Sequence, residues 1–225
     1  RWRYPSYKSH RPGYLAVEAL GWASKYVRSY FNKNRNLEAL TKIGEAPYFM
    51  FPLQLNSDFQ IREHSPFTSM YDAALYVLES FTHQSPEHSV LVIKEHPLDC
   101  QLRSWRRFIE RHAKRLGIEE RVIHVAGGHL ESIARSSMGM VTVNSTSGTL
   151  GLSAGVPVFV LGNAIYDIPG ITHQGILDEF WRNPQPPKKD VYDGFRRVLH
   201  ARCLVPGGFA SESAVKTLIR STLIR

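Results

Sequence analysis

A chain of 225 residues, 43% of them hydrophobic and with a formal charge of +8, is long enough to bury a core and too apolar to stay disordered. Its longest apolar runs, VPVFVL and VLVI, are far too short to span a bilayer, and two cysteines, Cys100 and Cys203, build neither a disulfide framework nor a metal cage. The charge is uneven: residues 1–46 hold nine Lys/Arg and three Asp/Glu, and the rest hold nineteen and seventeen.

The opening RWRYPSYKSH has no apolar signal region and no initiator Met, so a fragment or processed chain in a reducing, cytoplasmic setting is expected. Residues 13–43 predict one or two helices, with Leu15, Ala19, Trp22, Tyr26 and Tyr30 at helical spacing. Packing against a neighbouring domain explains that aromatic face. Contact with an anionic membrane surface, peripheral at the inner membrane, is the alternative. Nucleic acid is not an expected partner, because Arg/Gly runs, zinc spacings and RNP-like aromatics are all missing.

From residue 47 short apolar runs alternate with helical patterns. Strands are expected at 48–53, 89–94, 121–125, 139–143 and 157–161, with helices at 68–84, 101–116, 129–137 and 147–154 between them. That repeat predicts an α/β fold, a doubly wound parallel sheet of Rossmann-like type. A Gly/Pro/Asn-rich loop follows at 162–175. Helices near 176–181, 190–200 and 211–222 close the chain, and NPQPPKK at 183–189 joins two of them.

Ligands bind beyond the carboxyl ends of such strands, which makes the five loops there the candidate site. After strand one, QLNSDFQIREHSPF offers Asp58 with Gln54 and His64 nearby. Asp58 either caps a turn or serves glycosyl chemistry as nucleophile or base. After strand two, KEHP puts Lys94 and His96 on one face of an extended segment, a pair suited to an anionic leaving group. Strand three ends in AGGH. After strand four, NSTSG offers Ser145, Thr146 and Ser147 as caps of a helix whose free N–H groups suit phosphate, with Gly148 allowing close approach. An ordinary capped turn is the plain alternative.

Taken in order, FPLQLNSDFQI, HSPF, LVIKEHPLD, VTVNSTSGTLGLSAGVPV, LGNAIYDIPGITHQG and LDEFW resemble the capsule polysaccharide biosynthesis/export family of Gram-negative bacteria, across roughly residues 47–209. Its members are similar to retaining β-Kdo glycosyltransferases. The resemblance implies a GT-B architecture with this chain as the C-terminal, nucleotide-sugar-binding half. Residues 1–46 are then a basic helical connector from an N-terminal domain, 47–209 the donor-binding domain and 210–225 a C-terminal helix. It implies transfer of Kdo from CMP-Kdo to a glycolipid acceptor, with no metal or other cofactor and with capsule assembly proteins as partners. By resemblance Asp58 and His96 are catalytic. Lys94, His96, Asn144, Ser145, Thr146 and Gly148 hold the donor phosphate or carboxylate, and Gln54, His64, Tyr166 and Gln174 contact substrate. A nucleotide-sugar epimerase, a UDP-sugar transferase and a non-catalytic export or assembly factor that binds glycolipid or polysaccharide are the competing readings.

Overall fold

In the computed structural model, residues 15–223 are described. The first fourteen residues of the expected connector, and the last two of the chain, lie outside the described residues. The chain divides into two compact units, one running to Pro187 and one beginning at Lys188.

The first unit opens with two helices, α1 (Leu15–Phe31) and α2 (Lys33–Lys42). Five strands follow: β1 (Tyr48–Pro52), β2 (Val90–Lys94), β3 (Val122–Val125), β4 (Gly139–Thr142) and β5 (Val158–Val160). Between and after them come α3 (Phe59–Glu63), α4 (Met70–Gln84), α5 (Trp105–Leu116), α6 (Leu130–Arg135), α7 (Gly148–Ser153) and α8 (Leu177–Arg182). Each expected strand and helix is present within a few residues of its predicted ends, and α3 is an addition.

The strands form one sheet in the order β3-β2-β1-β4-β5, every pair parallel. The doubly wound fold is therefore as expected. The order reverses between β1 and β4, the switch point where such sheets open a crevice.

The pleat sorts the core into two layers. Phe49, Phe51, Leu91, Ile93, Val141 and Val143 join α4, α5 and α8 in one hydrophobic cluster. Trp181 of α8 sits edge-on to both Phe49 and Phe81 there, with its indole N–H donated to Ser80 Oγ at 2.8 Å. Met50, Val92 and Met140 are equally buried but stand outside that cluster. They are the alternate residues of the same strands and belong to the α6–α7 side. Gly151 of α7 lets that helix sit close to Met140 and Val158.

α1 lies on the segment after β2. A methyl group at Gly21 would stand 2.0 Å from the Cys100 carbonyl oxygen, so only glycine permits the approach. Lys25 Nζ donates to Pro97 O at 2.6 Å, and Arg28 donates to Gln101 O at 2.7 Å and Leu102 O at 2.9 Å. Asn36 of α2 accepts the backbone N–H groups of Ala126 and Gly127 after β3. The aromatic face read from the sequence is largely exposed, with Tyr26, Tyr30 and Phe31 each more than 70% accessible.

The second unit contains α9 (Lys189–Val198), a wider π-type turn at Leu199–Cys203, and α10 (Glu212–Leu223). Gly207, at φ +123°, lets its loop run against Leu218 of α10. No helix among the described residues is long and apolar enough to cross a membrane.

Candidate functional site

An open cleft of about 700 Å³ lies at the carboxyl edge of the sheet. The end of β1 contributes Pro52 and Leu53, the end of β2 Lys94 and His96, and the turn after β4 Ser145, Thr146 and Ser147. Glu95, Thr149, and His129 and Glu131 at the start of α6 complete its polar wall.

Lys94 is the last residue of β2 and shares the inner face with Val92. It is 6% exposed, and its Nζ has no hydrogen-bond or ion-pair partner among the described residues. Burial pushes its pKa below the usual lysine range, against the pull of Glu95. An ammonium so placed attracts an anion, because only the neighbouring Glu95 charge acts against it and no group is bonded to it among the described residues.

His96 follows two residues on. Its Nδ1 accepts the Leu98 N–H at 3.1 Å, so a neutral ring carries its proton on Nε2. Burial lowers its pKa, outweighing the pull of Asp99 and Asp58. At neutral pH His96 is thus a fixed hydrogen-bond donor, and the full positive charge is left to Lys94. Pro97 ends the strand just beyond.

The turn after β4 differs from a simple phosphate-binding helix start. α7 has six residues, too few for a strong dipole, and the N–H groups of Gly148, Thr149 and Leu150 bond to Ser145 O, Thr146 O and Ser147 O. Ser145 Oγ accepts the Ser147 N–H at 3.1 Å. The Thr146 N–H has no partner among the described residues, and Ser147 Oγ is buried and unpartnered. Hydroxyls and one amide, rather than a row of helix amides, are the donors.

The remaining expected residues support this turn or stand away from it. Gln54 and Asn144 are buried and bond to each other: Gln54 Nε2 donates to Asn144 Oδ1 at 3.0 Å, and Asn144 N donates to Gln54 Oε1 at 3.1 Å. Asn144 Nδ2 also donates to Gln60 O and His64 O, tying the end of β4 to α3. Neither amide lines the cleft. Tyr166 is 2% exposed and donates its hydroxyl to Ser145 O. A methyl group at Gly148 would lie 2.5 Å from that hydroxyl, so the room at Gly148 is taken by Tyr166 and not left for a ligand. Asp58 is the N-cap of α3, accepting the Gln60 N–H at 3.0 Å through Oδ1. It does not line the cleft, but its charge acts on His96. The His64 ring packs edge-on to Phe59, and Gln174 bonds to Thr172 and Asp167 in its own loop. Among the described residues no three His, Cys, Asp or Glu side chains gather as metal ligands. Reading the sequence missed His129 and Glu131; the AGGH ending of strand three was the available signal.

The family model described as capsule polysaccharide biosynthesis protein matches residues 1–209. Over 217 residues the chain is 36% identical to the capsule polysaccharide modification protein LipB of Neisseria meningitidis, an overlap of 93% of this chain and 51% of that protein. It is 34% identical over 202 residues to the capsule polysaccharide export protein KpsS of Escherichia coli, covering 88% and 52%. The chain spans about half the length of the curated relatives it matches. Among solved structures, KpsC of Thermosulfurimonas dismutans, a beta Kdo 2,7 transferase, shares 20% identity over 72% of this chain and 52% of that one, with a TM-score of 0.43. At that score the likeness assigns nothing to this chain.

Proposed function

This chain belongs to the capsule polysaccharide biosynthesis protein family, and from that membership we propose that it is the donor-binding half of a GT-B glycosyltransferase acting in capsule synthesis. The donor is a CMP-activated sugar acid, CMP-Kdo by the family resemblance, and the acceptor is a glycolipid. The observation that carries the reading is a single cleft at the switch point, where Lys94, His96 and the Ser145–Ser147 turn present uncommitted donors.

The chemistry fits one phosphodiester. Its oxygens meet the Lys94 ammonium, the His96 Nε2–H and the Thr146 N–H, with the buried Ser147 hydroxyl behind the turn. As a nucleophile, the acceptor hydroxyl or first the Asp58 carboxylate, bonds to the anomeric carbon, the bond from that carbon to the phosphate oxygen breaks, the electron pair leaves with CMP, and the growing negative charge falls where Lys94 already stands. His96 steadies the same oxygens through a hydrogen bond. Glu131 offers a carboxylate to the hydroxyls of a ribose. Asp58, whose Oδ2 accepts no hydrogen bond from the described residues, is the candidate nucleophile or base.

Calorimetry with CMP and UMP tests this without an acceptor. CMP is expected to bind and UMP to bind more weakly. Lys94→Ala removes a charged partner, at a cost of about 1.5–3 kcal/mol, or roughly ten- to a hundredfold in Kd; His96→Ala removes a neutral donor and costs about 1 kcal/mol. CMP binding that both folded variants leave unchanged overturns the donor site. Polysaccharide binding without any nucleotide affinity points instead to an export or assembly factor.

A further inference from the structure

Glu95 borders the cleft too, but the pleat sends its carboxylate to the opposite side of β2 from Lys94, where it meets His124. There α1, α2 and residues 99–106 enclose a second pocket of about 210 Å³. Five Lys or Arg side chains line it, against two carboxylates, Glu95 and Asp99.

Both carboxylates are already answered. Glu95 Oε1 pairs with His124 Nε2 at 3.0 Å. Burial alone would raise the Glu95 pKa; the His124 hydrogen bond and charge, with Lys25 and Arg28, outweigh it and hold the carboxyl below its usual range. Asp99 Oδ1 accepts the Gln101 N–H at 2.9 Å, and Oδ2 accepts the Trp105 indole N–H at 2.7 Å.

The cations are not answered in the same way. Lys25 and Arg28 are held by backbone carbonyls, which fix their positions and leave their charge in place. Lys33 and Arg106 have no hydrogen-bond or ion-pair partner among the described residues. A separate observation points the same way: the His124 side chain is 7% exposed and its Nδ1 has no partner. With Nε2–H given to Glu95, that Nδ1 is an acceptor in the neutral ring, and the ligand atom that suits it is a protonated oxygen such as a P–OH.

We propose that this pocket is a second binding site, for one phosphate or carboxylate group, with Arg106 and Lys33 as its direct contacts and Arg28 as fixed background charge. Its volume is below the ~300–1,000 Å³ of clefts that take a whole drug-sized ligand. It therefore suits a single small anionic group and not a nucleotide. The site is independent of the reading of the cleft. A free small anion and the anionic headgroup of a lipid share the required chemistry.

Nuclear magnetic resonance on the whole chain tests it, with inorganic phosphate at low ionic strength as the probe. Saturable shifts are expected at the Arg106 side chain and the Gly127 amide. The double variant Lys33→Gln/Arg106→Gln should weaken that binding by about tenfold or more, the size of a lost charge-assisted pair. Its thermal midpoint and its CMP affinity should stay at the parent's values. A second arm uses vesicles of phosphatidylcholine with one quarter phosphatidylglycerol. Vesicles that displace phosphate, and lose their hold on the double variant, identify a headgroup site; phosphate binding with no vesicle binding identifies a soluble anion. Shifts that never saturate, or saturate equally in the double variant, overturn the proposal whatever CMP does.

Discussion

The two recesses at the end of β2 are built from neighbouring residues and differ in how their polar groups are used. In the cleft, Lys94 Nζ and Ser147 Oγ have no partner among the described residues. In the pocket, Glu95, Asp99, Lys25 and Arg28 are all engaged, with side chains or with backbone carbonyls. Engagement of that kind holds α1 on the loop after β2. The cleft leaves an ammonium and a hydroxyl idle, whereas the pocket spends most of its polar groups on architecture and leaves Lys33 and Arg106 unpaired among the described residues.

The largest test strikes the frame of the cleft alone. Asn144→Ala leaves Gln54 Nε2 without its partner and takes one of two N–H donors from each of Gln60 O and His64 O, which keep the His64 and Asn163 N–H groups. Stability should fall by about 3 kcal/mol, lowering the thermal midpoint by roughly 6–12 °C. CMP binding should weaken, while phosphate binding in the pocket persists. Equal loss at both sites would mean that they are one structural unit.

A smaller effect is expected from Gly21→Ala, the reverse experiment. The new methyl group meets the Cys100 carbonyl oxygen, and a backbone atom cannot swing aside. Overpacking of this kind costs about 1–3 kcal/mol. Hydrogen exchange should quicken in α1 and at Ala126 and Gly127, with CMP affinity unchanged. Unaltered exchange in α1 would show that its seat on the loop is loose.

Protons separate the recesses most gently. His96 is held below its ordinary pKa by burial, as are His112 and His173. The unfolded chain therefore binds more protons than the folded one near pH 6.5, and stability falls as the pH drops through that region. Glu95 has a depressed pKa, so its contribution is present above about pH 4.3 and is lost on further acidification. Thermal midpoints between about pH 7.5 and pH 4 should decline in two stages. Glu95→Gln should make only the lower stage shallower, since Asp72 also has a depressed pKa, and His173→Gln should flatten only the upper. A midpoint that rises on acidification toward pH 5.5 would reverse the sign argued here.

Much of the site was legible because β structure alternates. Lys94 and His96 stand two apart at a strand end, so their common face follows from the pleat, as does the opposite course of Glu95. The residues after β4 were legible as a polar turn entering a helix. Their division of labour was not. Asn144 and Gln54 sit ninety positions apart, and nothing in either stretch reveals that their amides close on each other. Gly148 reads as a place for a ligand until Tyr166 is seen above it. The helix α3 was hidden because five residues are too few to display a period.

By itself the sequence determined five strands, the helices between them, their parallel arrangement and the edge at which a ligand would sit. These follow from apolar periodicity, turn chemistry and the handedness of crossovers, all of which act over short stretches of chain. Tertiary structure alone decided which polar groups remain idle. That outcome depends on partners brought together from distant positions, such as Glu95 with His124 or Arg28 with the Gln101 carbonyl. A hydrogen bond is a matter of ångströms in space, and no local pattern encodes it.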